Sequence, residues 1–200
     1  MAASRFVSGL RTTELPAGHT IVRIHPLNRG PIFFGPLPGK MPQNRFDAPN
    51  SEFRVLYTAE QLEGAFVETM LRRPTGRILR RDHIEERGWS LLRPKRPLAL
   101  AKLYDEGLQV HQIDAGEISV NDYGPSRALA LALHSEFGDL DGLAYRSRYN
   151  NGEICYAVFD RITIAEFDVE PVSAFVDFRD RVDALMEFYG AVFDTSPPIA

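Results

Sequence analysis

Cysteine is nearly absent from this chain. With one Cys in 200 residues, no internal disulfide can form, and Cys155 sits among Ile154, Tyr156 and Val158, a strand-like setting unlike a zinc site. A reducing cytoplasm is the expected compartment. Long apolar runs are missing too. No stretch approaches the roughly 18 consecutive apolar residues of a membrane span. The opening Met-Ala-Ala-Ser-Arg-Phe-Val-Ser-Gly-Leu has no apolar region of the secretory kind, so neither secretion nor a membrane partner is expected. There is no basic excess: the formal charge of −4 supplies no long-range pull toward nucleic acid, and direct nucleic-acid binding is not expected.

Several catalytic signatures are missing as well. His19, His25, His83, His111 and His134 are scattered, without a His-Glu-x-x-His or comparable ligand set, so no metal is expected. No Walker A loop occurs, and no Gly-x-Gly-x-x-Gly follows a strand-like run, which removes support for P-loop phosphate transfer and for Rossmann hydride transfer. A Gly-x-Ser-x-Gly elbow is absent, which leaves a serine-hydrolase triad little support.

What is present is an ordinary globular composition, 44% hydrophobic and 25% charged, that fits one domain over residues 1–200. Ile21, Val22 and Ile24 read as a short strand within Thr20 to Ile24, with Arg23 on the opposite face. Pro26 to Pro49 holds six prolines and three glycines and reads as a long ordered loop, packed by Phe33, Phe34 and Phe46. Phe53 to Thr58 reads as a buried strand. Thr58-Ala-Glu-Gln61 has the form of a capping box opening a helix whose core spacing is Leu62, Ala65, Phe66 and Met70. Further along, the pattern predicts strands at Leu98 to Tyr104 and Leu108 to Ile113 and a helix at Pro125 to Phe137. A turn-rich segment follows at Leu140 to Asn151, then strands at Glu153 to Phe159 and Ile162 to Phe167, and a final amphipathic helix from Phe175 to Phe193. That order gives a mixed α+β class.

Five residues are candidates for chemistry. Arg23 and Arg45 suit a pyrophosphate, because a guanidinium donates paired, charge-assisted hydrogen bonds to phosphate oxygens. Glu68, inside an otherwise apolar helix, could stabilise a cation-like sugar as a glycosidic bond breaks. Tyr57 offers an aromatic face and Ser147 a hydroxyl, both in positioning roles. Each also has a plain structural reading: Glu68 pairing with Arg72 four residues on, Tyr57 as a core residue, Arg23 as a solvated strand residue, Arg45 bonding carbonyls, Ser147 as a turn hydroxyl. Residues Arg72 to Arg96 contain nine Lys or Arg, which reads as a solvated basic face or a contact for an acidic partner.

Taken together, Val22-Arg23-Ile24, Asn44-Arg45-Phe46, Val55-Leu56-Tyr57-Thr58-Ala59, Ala65-Phe66-Val67-Glu68 and Asp141-Gly142-Leu143-Ala144-Tyr145-Arg146-Ser147 resemble the RES-domain family. The family is named for its arginine, glutamate and serine, and its members include bacterial toxins paired with Xre-type antitoxins. The resemblance covers about 20–159, leaving a C-terminal helical extension at about 175–200. Gln43-Asn44 stands where paired glycines are common, Asp47 where asparagine is, and Arg146 where proline is.

The resemblance implies an ADP-ribosyltransferase-like fold, a split mixed β-sheet around an NAD cleft with flanking helices. It implies NAD as a consumed substrate, no metal, and an Xre-type antitoxin protein as partner. Arg23 and Arg45 would bind the phosphates, Tyr57 would contact nicotinamide or ribose, Glu68 would stabilise the ribosyl cation and Ser147 would orient the nicotinamide end. The implied activity is that of a toxin cleaving the nicotinamide–ribose bond of NAD with water or phosphate as acceptor. One alternative is mono-ADP-ribosylation of a cellular protein target, and another is a non-catalytic nucleotide-binding module.

Overall fold

The alternation of side chains along the strands sorts the core into two layers. From Ile154 to Phe159, Cys155, Ala157 and Phe159 belong to one buried cluster, while Tyr156 and Val158 belong to another. This is the period-two pattern of a strand covered on both faces. The structure, a computed structural model, describes residue 6, residues 9–73 and residues 75–194.

Within them the chain runs through β1 (Thr12–Leu15), β2 (Ile21–Pro26), β3 (Val55–Ala59), α1 (Leu62–Met70), β4 (Ile78–Leu79), α2 (Arg81–Glu85), β5 (Arg87–Pro94) and β6 (Leu98–Leu103). Next come α3 (Glu106–Val110), α4 (Ala115–Ser119), α5 (Gly124–Glu136), β7 (Gly142–Arg146), β8 (Ile154–Phe159), β9 (Phe167–Val169), β10 (Ser173–Ala174), α6 (Arg179–Phe188) and β11 (Val192–Phe193). The main sheet has the order β1-β6-β7-β8-β3-β2-β5-β10, with β9 also on β5. Its pairs are antiparallel except β6 with β7. A parallel pair needs a long crossover, and α3, α4 and α5 supply it. The class is α+β, as expected.

The sheet is split at one place. β3 pairs with β8 along its whole length and β2 with β5 along its whole length, yet β2 and β3 meet only at Val22 and Ala59. Beyond that pair the two strands diverge and a groove opens between them. Helix α1 lies over the same face, burying Leu62, Ala65, Phe66, Val67 and Met70.

Several local expectations are corrected. The Thr58 capping box does not form: Thr58 stays extended opposite Tyr156, and α1 starts after Gln61 with no side-chain cap. Leu108 to Ile113 is not a strand, since α3 occupies Glu106–Val110. The supposed turn-rich segment contains β7, an interior strand of the sheet. Its glycine looked like a turn signal but serves close approach, because a Cβ at Gly142 would stand 2.4 Å from the Ala157 carbonyl oxygen. Ile162 to Phe167 holds a 3-10 turn at Ile164–Glu166, closed by a capping box between Thr163 and Glu166, before β9 begins. The last helix is shorter than its pattern, because a 3-10 turn at Phe175–Asp177 precedes α6 and Gly190, at φ 59°, follows it.

Asp141 clamps the sheet just before Gly142. Its carboxylate accepts two bonds from the Arg96 guanidinium at 2.8 Å and one from the Ala99 amide at 2.9 Å, which fixes β7 beside β6. Gly142→Ala is expected to cost roughly 1–3 kcal/mol by overpacking, read as a lower urea midpoint. An unchanged midpoint would show that β7 and β8 can separate here at little cost.

Candidate functional site

The groove beside the split is lined by β2, β3, α1, the 44–45 turn and the loop after β7. Its enclosed volume is about 70 Å³. That is well below the roughly 300–1,000 Å³ of drug-sized ligand sites, so a larger ligand must lie partly across the open mouth. Four arginines, Arg23, Arg45, Arg72 and Arg148, line it against a single carboxylate, Glu68. In a protein of net charge −4 this concentration of cations gives the groove a locally positive balance, which attracts anions.

Arg45 is positioned by a buried carboxylate. Asp47 is fully buried; its Oδ2 accepts hydrogen bonds from the amides of Gln43 at 2.8 Å and Asn44 at 2.7 Å. Its Oδ1 accepts the Tyr57 hydroxyl at 2.9 Å, and that same hydroxyl accepts the Phe46 amide at 3.0 Å. Residues 43–47 are thereby closed into a turn and tied to β3. Burial, with the Asp47 charge adding to it, holds the Tyr57 phenol well above its ordinary pKa, so it remains a donor.

The Arg45 side chain is 6% exposed. Its Nη1 donates to the Ile118 carbonyl at 3.0 Å, and its guanidinium lies 4.5 Å from the Tyr145 ring centroid and 5.1 Å from that of Phe46. Across the groove its Nη2 stands 3.8 Å from Glu68 Oε1, too far for a hydrogen bond. That Oε1 is buried and has no hydrogen-bond partner. A buried carboxylate oxygen without a partner is costly, and such atoms concentrate where a ligand completes the set. The expected Glu68–Arg72 ion pair takes another form: Arg72 Nε donates to the Glu68 backbone carbonyl at 2.7 Å, closing the last turn of α1.

Arg23 follows Val22, just where β2 and β3 part, and lines the groove together with Thr58. Its Nη1 donates to the Pro31 carbonyl at 2.6 Å; burial, with Arg29 nearby, lowers its pKa to about 10. The structure therefore brings Arg23, Arg45, Tyr57 and Glu68 together in one groove. Ser147 is not among the lining residues. It is fully buried, and its Oγ accepts the amides of Tyr149 at 3.2 Å and Asn150 at 3.3 Å, fixing the turn that carries Tyr149 to the groove.

Tyr123, Tyr145, Arg148 and Tyr149 also line the groove and were missed as site residues. Arg148 and Tyr149 directly follow Ser147, so extending that motif would have found them. Tyr123 precedes α5 and carried no signal. Cys155 lines the floor, and burial raises its thiol well above the usual value, which keeps it a neutral packing group. Among the described residues, no group of three or more His, Cys, Asp or Glu side chains is placed to hold a metal ion, and no helix is long and apolar enough to cross a membrane.

An α+β protein with a split mixed sheet and a cation-lined groove at the split is the class these observations define. The RES domain family model matches residues 20–179, and the chain belongs to that family. The match runs past the 159 boundary read from the sequence and ends at the first residue of α6. A chain of the crystal structure of the M. tuberculosis MbcT–MbcA toxin–antitoxin complex has a similar fold. It aligns with a TM-score of 0.65 and 13% identity, covering 88% of this chain and 93% of that one. No curated protein matches the chain.

Tyr57→Phe is expected to cost about 1–3 kcal/mol of folding stability, because it leaves the Asp47 carboxylate and the Phe46 amide short of a buried partner. Chemical denaturation measures this. A loss under about 0.5 kcal/mol would mean that the 43–47 turn holds itself without the phenol.

Proposed function

We propose that this protein is the NAD-consuming toxin of a bacterial toxin–antitoxin pair, acting in the cytoplasm and held in check by an Xre-type antitoxin. The observation that carries the chemistry is Glu68, the single carboxylate lining a groove that four arginines also line, with a buried Oε1 that has no hydrogen-bond partner among the described residues. Membership of the RES domain family and a fold shared with a toxin–antitoxin complex support the biological role.

Cleavage of the bond between nicotinamide and ribose builds positive charge on the sugar. A preorganised carboxylate placed against that charge lowers the barrier, and one short of hydrogen bonds gives most of its field to the reacting atoms. Arg45, 3.8 Å from the Glu68 carboxylate, offers positive potential to the diphosphate, as does Arg23 from the sheet. The Tyr57 ring presents its face to nicotinamide or ribose while its hydroxyl stays committed to Asp47. Ser147, buried and not among the groove-lining residues, acts by fixing the turn that follows Arg148 and bears Tyr149. The acceptor is water or inorganic phosphate.

Incubating purified, antitoxin-free protein with NAD should release nicotinamide, and adding phosphate should divert ADP-ribose to its phosphorylated form if phosphate is the acceptor. Glu68→Gln should slow release by about 10²–10³-fold, with the melting temperature confirming a folded variant. Equal rates for wild type and Glu68→Gln, or no release by either, would refute the reading. Label from NAD retained on a protein band would instead favour transfer to a protein side chain.

A further inference from the structure

We propose that direct contact with the ligand's phosphates is made by Arg72 and Arg148 at the groove mouth, with Tyr123 and Tyr149 flanking Arg148 as aromatic walls. The ligand is taken from the NAD reading above; the proposal itself requires only a diphosphate. Arg23 and Arg45 supply potential from behind, because both are committed to the fold. Arg45 is buried and bonded to the Ile118 carbonyl, and Arg23 is bonded to the Pro31 carbonyl.

Arg72 and Arg148 differ in accessibility and in how they are held. Arg72 is exposed and Arg148 half-buried. Arg72 is fastened beside the reacting carboxylate: its Nε donates to the Glu68 carbonyl at 2.7 Å and its Nη1 to Asn44 Oδ1 at 3.3 Å. Arg148 is fastened from the other wall, its Nη1 donating to the Val120 carbonyl at 2.9 Å and its Nη2 to Asn121 Oδ1. Each fork keeps further N–H donors beyond these bonds and is held in place before a ligand arrives, which lowers the entropy lost on binding.

The aromatic pair belongs to the same feature. The Arg148 guanidinium lies 5.0 Å from the Tyr149 ring centroid and 6.0 Å from that of Tyr123. Arg72, Arg148, Tyr123, Tyr149 and Glu68 all line the same groove, which brings the diphosphate of a ligand seated there within reach of both arginines.

Calorimetric titration of the full chain with ADP-ribose tests this separately from catalysis. Arg72→Gln and Arg148→Gln should each weaken binding by about 10-fold or more, as expected for a lost charge-assisted hydrogen bond. Arg148→Lys should recover part of the loss. On wild type, inorganic pyrophosphate should compete with ADP-ribose and adenosine should not, a readout that needs no variant to fold. ADP-ribose affinity within about twofold of wild type for both Gln variants, no competition by pyrophosphate, or no ADP-ribose binding by wild type would each overturn the inference. ADP-ribose binding that depends on both arginines, in a protein that releases no nicotinamide, would uphold it while removing the enzymatic reading.

Discussion

A guanidinium at 6% exposure is the constraint around which this molecule is arranged. Removing the Arg45 charge from water is expensive unless carbonyls, aromatic faces and an opposite charge take the solvent's place. The fold provides these from distant parts of the chain: the Ile118 carbonyl from α4, the Tyr145 ring from β7 and the Glu68 carboxylate from α1. The pair with Glu68 is left open at 3.8 Å, so the positive charge is balanced while the carboxylate oxygen remains unsatisfied. The two charges attract without closing a hydrogen bond.

Support for that arrangement comes from a second buried charge. Asp47 gathers the amides of Gln43 and Asn44 and the Tyr57 hydroxyl, tying a proline-rich loop to the middle of the sheet. Loops rarely hold a side chain to within an ångström by themselves, and here the anchor is a strand residue. The same logic applies to Ser147, whose hydroxyl organises the turn bearing Tyr149. Tyr57 and Ser147 thus act largely on the shape of the groove walls, while Glu68 faces the space between them.

The strands with clean alternation were legible from residue type alone. β2, β3, β6 and β8 lie close to where periodicity put them, as does α5, because burying one or both faces of an element leaves a direct mark on residue order. β5 was not read, because Arg87 and Arg93 place charges among its apolar residues. β7 was hidden by the Asp141-Gly142 pair, which has the look of a turn. Its glycine exists for the approach of β8, and only the neighbouring strand reveals that requirement.

Residue order alone determined the α+β class, the absence of an internal disulfide and the identity of Arg23, Arg45, Tyr57 and Glu68 as unusual residues in their local settings. Whether those side chains meet was decided by tertiary structure, through the one ladder pair of β2 and β3, Val22 with Ala59, beyond which the strands diverge. Tertiary structure also recruited Tyr123, Arg148 and Tyr149, and turned the Arg72 side chain to the Glu68 carbonyl. The reason is physical: periodicity records which face an element buries, whereas a groove arises from the relative placement of elements far apart in the chain.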